Sequence, residues 1–387
     1  GPGVVDFGFN AATRAADEDT AQVNAFEIPD AVHRWLVGHG FAPTIPPVTG
    51  RVNQAGSCNG FYFADPPVIS LYAAGCYTSP CRNRAYSSWL VHEYGHHIHF
   101  NLPLINDDGH TSNSAFAEGL ADSVSSLFLG DSRFGYRTFV CPDDPNAPCS
   151  CPGEPNYPVL PCTCLSPLCV CGAIRDPVVT NVQYPACPTQ PPCINWSPQQ
   201  TYYWAQLLSG VWWDIRSNIG QHDAIESFVA WAQVAVGGVC DFALQTAHKF
   251  NSAHPATLLE VLVLDDDDGD LSNGTPNYLG IARAFRSHNI YLPCLAATAC
   301  EYCGDGPHTC PTPCACVIGQ PDLAIILAAF GTSVGDPNYN PRADLNLDGH
   351  VGQAELGCVL QAFGTTCRYC NLPDCPSTVP SPPPCGN

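Results

Sequence analysis

Apolar residues return at helical spacing through much of this chain and alternate with polar ones through one early stretch. Ala21 to about Gly40 predicts a first helix, and residues 1–20, Gly-rich and then acidic, predict an extended arm. Arg51–Tyr72 alternates apolar and polar residues and contains prolines, the pattern of edge strands in an antiparallel sheet. Between Tyr86 and Phe100, apolar Trp89, Leu90, Val91, Tyr94 and Ile98 give a helix its buried side, and Pro103 ends it. Ser114–Phe128 predicts a second helix through Phe116, Leu120, Val124 and Leu127. Helical pattern resumes from Gln199 to Phe250. After the apolar run Leu258–Leu264, a last helix closes the segment near Tyr291. Residues 141–195 show little periodicity and many cysteines and prolines. They read as a disulfide-knit insertion, 141–195, on the rim of the domain.

The C-terminal part repeats itself. Gly319–Thr332 matches Gly352–Thr365 at an offset of 33 residues, each copy being a loop that leads into a helix. Into the second copy runs the twelve-residue stretch Asp344–Glu355, with Asp344, Asn346 and Asp348 at its first, third and fifth positions. Gly349 supplies the turn, His350 the seventh position and Glu355 the acid at the twelfth, which is the pattern of a calcium loop. The first copy holds Pro311, Pro313 and Ala315 at the loop positions and keeps only Asp322, so one calcium ion, not two, is expected here. A second acidic run follows Leu264. Its adjacent carboxylates repel unless a hard cation or water takes up the charge, so Asp266, Asp268 and Asp270 are candidate calcium ligands, with a solvated acidic turn as the alternative.

Composition narrows the class. The formal charge is −21, which removes any electrostatic case for nucleic acid or an anionic membrane surface. No apolar run approaches the length of a membrane span. The 24 cysteines, scattered through Pro-rich loops, read as up to twelve disulfides in a secreted, extracellular or cell-surface protein. Zinc ribbons are the other reading of the Cys-x-Cys pairs, such as Cys162/Cys164 and Cys314/Cys316. Methionine is absent, so the chain reads as a processed form, or Gly1-Pro2 as a remnant of cloning.

Candidate chemistry is concentrated on the two central helices. His92, Glu93 and His96 have the spacing His-Glu-x-x-His, which puts both imidazoles on one helix face where they can grip one metal ion. Glu93, one step round, can reach a water on that metal. On the second helix Glu118 and Asp122 are four apart and share a face. Two His and one Glu leave a fourth zinc position open for water, the catalytic pattern, and Asp122 then accepts the second N–H of a liganding His. His97 and His99 read as supporting or merely polar. The alternative motif with a third His needs Gly at 99 and His at 102, where this chain has His99 and Leu102.

His-Glu-Tyr-Gly-His followed by Glu-Gly-Leu-Ala-Asp resembles the gluzincin metallopeptidases, the thermolysin and fungalysin groups in particular. The resemblance spans roughly residues 20–290 and implies zinc on His92, His96 and Glu118, Glu93 as general base and a polypeptide substrate. It also implies an edge strand at Ser57–Phe63 whose Asn59-Gly60 lines the cleft, and a hydrogen-bond donor to the oxyanion, which by pattern is Tyr202 with Tyr203 second. The two loop-helix copies resemble a dockerin module, which implies a cohesin-like scaffold or cell-surface partner. The expected fold class is α+β: a gluzincin peptidase fold with a mixed or antiparallel sheet, active-site helices and a mainly helical subdomain, then a small EF-hand-like module. The expected order is arm 1–20, peptidase domain 21–293, Cys-rich linker 294–317, dockerin-like module 318–366 and Pro/Cys-rich tail 367–387. A reading of another class stands beside it. Cysteine and proline density and the near-absence of lysine also fit a self-assembling, filament-forming surface protein built on a peptidase fold.

Overall fold

A computed structural model describes residues 14–55, 59–73, 75–76, 80–81, 83–85, 87–102, 114–135, 140–141, 144–148, 173–184, 198–234, 252–253, 255–269, 271–290, 315–317, 319–364 and 366–368. It divides into two compact units. The first comprises Gly1–Thr111, Ala117–Val182 and Ser197–Trp213, and the second Ser112–Phe116, Gln183–Trp196 and Asp214–Asn387.

The first unit opens with helix α1, Arg14–Gly38. It begins inside the expected arm. Strands β1 (Thr49–Gln54), β2 (Gly60–Phe63) and β3 (Val68–Tyr72) form a sheet of order β1-β3-β2. Strand β3 runs parallel to β1 and antiparallel to β2, so the sheet is mixed, within the mixed or antiparallel expectation, and only the antiparallel reading of Arg51–Tyr72 from its alternation is corrected at β1. The β2–β3 hairpin alone fixes the antiparallel pair; β1 reaches the other edge of β3 only by passing around it. Val68, Ile69 and Leu71 of the central strand are buried, and β2 is left at an edge. Helix α2, Ser87–Phe100, and helix α3, Ser114–Leu129, follow, close to their expected limits. Asn24 of α1 donates to the carbonyl of Ala85 just before α2, at 2.9 Å. A short helix α4, Pro177–Thr180, capped by Asp176, and the long α5, Pro198–Ile219, complete the part of the chain around α3.

The second unit is mainly helical in its described parts. Helices α6 (Gln221–Val234), α7 (Pro255–Asp265) and α8 (Tyr278–Ser287) bury Phe228, Trp231, Leu258, Leu262, Ile281 and Phe285. The two repeat copies form α9 (Gln320–Ala329) and α10 (Gln353–Ala362), which enclose Ile326, Ala329, Ala343, Val351 and Val359. Their starts are built alike. Asp322 accepts from Gly319 N–H at 2.8 Å, and Glu355 accepts from Gly352 N–H at 2.7 Å. A strand pair, Ala315–Val317 with Thr366–Arg368, closes the ends of this module. The chain is thus mixed helix and strand, mainly helical with one small three-stranded sheet among the described residues, and α+β in that coarse sense. No helix among the described residues is long and apolar enough to cross a membrane. Cys358 is disulfide-bonded, as an oxidised chain requires.

Candidate metal centre

Two glycines set the distance between the helices that carry the site. A Cβ on Gly95 of α2 would lie 2.6 Å from the Cα of Ala121 on α3, and a Cβ on Gly119 would lie 2.7 Å from the carbonyl oxygen of Ala205 on α5. The helices therefore touch backbone to backbone, closer than any side chain at these positions allows. Gly95 precedes His96 and Gly119 follows Glu118, so the closest approach falls beside the candidate ligands.

His92, His96 and Glu118 converge. His92 Nε2 stands 3.2 Å from Glu118 Oε2, and His96 Nε2 stands 3.4 Å from Glu118 Oε1. One ligand atom from each of the three lies within 4.8 Å of the other two. Tetrahedral ligands about 2.0–2.1 Å from zinc are roughly 3.3–3.4 Å apart, and the two nitrogen-to-oxygen spacings, each to a different oxygen of Glu118, are close to that value. His92 Nδ1 meets Asp122 Oδ1 at 2.8 Å. With Nδ1–H donating to Asp122, His92 Nε2 faces a carboxylate oxygen, a contact that is favourable with either a metal ion between the two atoms or a proton on Nε2. Glu118 Oε2 is buried and makes no hydrogen bond of its own, as an atom reserved for a metal would. The donor set, its spacing and this atom all fit zinc. Side-chain exposure rises from 4% at His92 to 12% at His96 and 18% at Glu118, so solvent reaches the cluster chiefly at Glu118 and His96.

The electrostatics follow from this packing. Burial disfavours the His92 imidazolium, but Asp122 and Glu118 outweigh it and push the group up to about 9. Burial raises Glu118, yet His96 and His92 hold it well below the usual carboxylate range. Asp122 is lowered despite its burial by Arg175 and His92. Glu93, buried beside His92, is raised by loss of water.

Arg175 was not singled out in the sequence. It is buried, and its guanidinium grips Asp122 with two bonds, Nε to Oδ2 at 2.7 Å and Nη2 to Oδ1 at 2.6 Å. Its Nη2 also lies 3.6 Å from Glu118 Oε2. The guanidinium stacks 4.0 Å above the Phe134 ring, and the His92 ring packs on the same phenylalanine, with centroids 4.7 Å apart. The backbone of Arg175 is fixed by a bridge to Phe134 and, through Asp176 N–H, by the amide oxygen of Gln206. The stretch 141–195, read as rim insertion, therefore supplies a buried residue of the centre. An arginine standing alone among cysteines and prolines carries no periodic or spacing signal.

Of the other expected site residues, Tyr202 on α5 reaches the same guanidinium, its ring 4.9 Å from the Arg175 Cζ, and is 41% exposed. Burial and then Glu118 raise its hydroxyl, which keeps it a donor. Tyr203 is partly buried and stacks edge-on against Trp204. Gly60 borders Glu93: a Cβ there would lie 3.3 Å from Glu93 Oε1 and 2.9 Å from Leu71. Asn59 is half-buried and its Oδ1 accepts from Gly60 N–H. His97 is engaged elsewhere, between Tyr62 Oη at 3.0 Å and the Pro46 carbonyl at 2.9 Å. His99 is buried and pushed down to about 3 by that burial.

The candidate calcium loop has its expected turn at Gly349, which is at positive φ, and Leu347 beside it is at positive φ as well. Asp344 is buried and accepts from Asp348 N–H and Gly349 N–H, while Asn346 and Asp348 bond within the loop and Asp348 Oδ1 accepts from His350 N–H. Glu355 Oε1 is buried without a hydrogen-bond partner, which fits a residue that completes a calcium shell. In the second acidic run Asp266 and Asp268 gather with Asp267, while Asp270 lies outside the described residues. Asp265 is turned to a different task, accepting from Thr275 Oγ1 and from Asn277.

No family model, curated protein or solved structure matches this chain.

Proposed function

We propose that this chain is a secreted zinc endopeptidase of the gluzincin kind, acting through the centre of His92, Glu93, His96 and Glu118. The observation that carries the reading is the pair of nitrogen-to-oxygen spacings, 3.2 and 3.4 Å, between two imidazoles and one carboxylate whose buried Oε2 accepts no hydrogen bond. Bound zinc supplies Lewis acidity, polarising a carbonyl and acidifying a water at the open side of the cluster. The chain's own residues do the rest. Glu93 takes the proton of the attacking water and returns it to the departing amine. Tyr202 donates its hydroxyl to the oxygen that gains charge in the transition state. Asp122 holds His92 in one tautomer, and Arg175 holds Asp122. Gly60 lets the edge strand β2 pack directly on Glu93 and Leu71, and an extended polypeptide would lie along that strand.

The repeat module belongs to the same reading as a calcium-dependent, dockerin-like tether. Asp344, Asn346, Asp348, the His350 carbonyl and Glu355 supply its oxygen ligands, and Asp266 and Asp268 offer a further calcium site. Leu327 and Phe330 of the first copy and Leu360 and Phe363 of the second are all exposed, so the repeat presents the same apolar pair twice to a scaffold or cell-surface partner.

The test is Glu93→Gln, assayed on a denatured protein substrate with zinc content measured in parallel. The variant should keep its zinc and lose roughly 10²–10⁴-fold in rate. Retained hydrolysis would falsify the assigned base. A zinc-loaded but inert parent chain that assembles into filaments would favour the structural reading.

A further inference from the structure

The outer face of the calcium loop is already occupied. Arg283 of α8 donates to the carbonyl of Leu347 from Nη2 at 2.8 Å and from Nε at 3.3 Å, and Arg286, one turn on, donates to the carbonyl of Leu345. Leu345 and Leu347 are the second and fourth residues of the loop that begins at Asp344. In the other direction, Arg342, buried just before the loop, donates to the carbonyl of Leu271 at 2.9 Å. Gly274 packs so closely on Pro341 that a Cβ would lie 2.5 Å from its ring. The segment 271–287 and the repeat module thus meet at the loop, within one compact unit.

One peptide plane links the two sides of this contact. The carbonyl of Leu347 points outward to Arg283, and the N–H of the same peptide, on Asp348, points inward to Asp344 Oδ1 at 3.1 Å and Asn346 Oδ1 at 2.9 Å. A peptide is rigid, so the inner arrangement of the carboxylates sets where the outer carbonyl points. Asp344, Asp348 and Glu355 repel one another without a cation, and a loop that opens to relieve this rotates the carbonyls away from the arginines. Arg283 holds the Leu347 carbonyl through two nitrogens of one planar guanidinium, a pair of bonds that a turned carbonyl loses together.

We propose that the Asp344–Glu355 loop is a calcium-dependent latch in cis: calcium holds the loop in the form that docks the repeat module on the 271–287 segment, and its loss releases the module. The proposal rests on the calcium reading of the loop and deepens it. The module's position, and with it the direction in which its apolar pairs face, is then set by calcium.

The test uses the full oxidised chain in zinc-containing buffer, with and without calcium. Amide exchange at 344–356 reads loop occupancy, and the radius of gyration from small-angle scattering reads docking. Removing calcium should raise loop exchange at least about tenfold and enlarge the molecule. Glu355→Gln should behave in calcium as the parent does without it. In the double variant Arg283→Gln, Arg286→Gln, calcium should still protect the loop while the molecule stays enlarged. A loop protected by calcium with a radius of gyration that ignores calcium overturns the latch and leaves the calcium site standing. A loop that calcium does not protect overturns both.

Discussion

Replacing Gly95 by alanine tests whether helix separation, and not only ligand identity, makes the metal centre. The new methyl would lie 2.6 Å from Ala121 Cα and 3.0 Å from Ala121 Cβ, where carbon atoms ordinarily meet at about 3.5–4.0 Å. Helices α2 and α3 must then part by roughly 1 Å, several times the ~0.2 Å tolerance of a metal–ligand distance. Two effects on stability oppose each other: alanine favours the helix by about 1 kcal/mol over glycine, and overpacking costs about 1–3 kcal/mol. The net loss is small enough for the chain to fold. Zinc affinity has no such compensation, because His96 and Glu118 ride on the separated helices. Competition with a chromophoric chelator should show a loss of roughly 10–100-fold, the scale of a disturbed supporting contact. Adding Ala121→Gly should recover little of it, because the nearest contacts, Ala121 Cα at 2.6 Å and its carbonyl oxygen at 3.2 Å, are backbone and remain. A Gly95→Ala protein with zinc affinity within about twofold of the parent would refute the argument that backbone contact positions Glu118.

Three further outcomes can be read with ordinary assays. Arg175→Met leaves the buried Asp122 carboxylate without its cation and should cost about 3–5 kcal/mol in chemical denaturation, with weaker zinc binding alongside. Tyr202→Phe should lower kcat by roughly 10²–10³-fold while KM and zinc content stay near the parent values. The third concerns pH. Burial raises the Asp214 carboxyl, but His288 and the Ser287 hydroxyl, which donates at 2.5 Å, lower it below the usual carboxylate range. A depressed carboxyl adds stability that is full above its unfolded value, about 3.9, and fades as pH falls through its lower folded value. Asp214→Asn should therefore lower the unfolding midpoint at pH 6–7, and the gap to the parent should close below about pH 4.

What the sequence makes legible follows physical periodicity. The two helices of the candidate centre were readable because His92/His96 and Glu118/Asp122 each sit four apart on segments with an apolar stripe. Their limits agree with the observed helices to within a few residues. The repeat was readable because Gly319 and Gly352 begin copies of one local design, and both adopt the same start. Arg175 was not readable, since its position depends on a bridge to Phe134, forty-one residues away, that no local pattern encodes. Nor were the roles of Gly95 and Gly119, whose lack of a side chain matters only once the neighbouring helices are placed. The parallel pairing of β1 with β3 was hidden for a similar reason, because alternation reports burial but not the direction of a partner. The start of α1 at Arg14 was hidden behind acidic residues that read as solvated chain and instead lie near a helix N-terminus.

The most direct measurement is zinc per oxidised chain by native mass spectrometry, on the parent and on the His92→Ala, His96→Ala double variant. One tightly held zinc ion in the parent and none in the variant, with calcium binding unchanged in both, is the predicted result. A parent that binds no zinc, or a variant that keeps it, would contradict the assignment of the ion to these two helices.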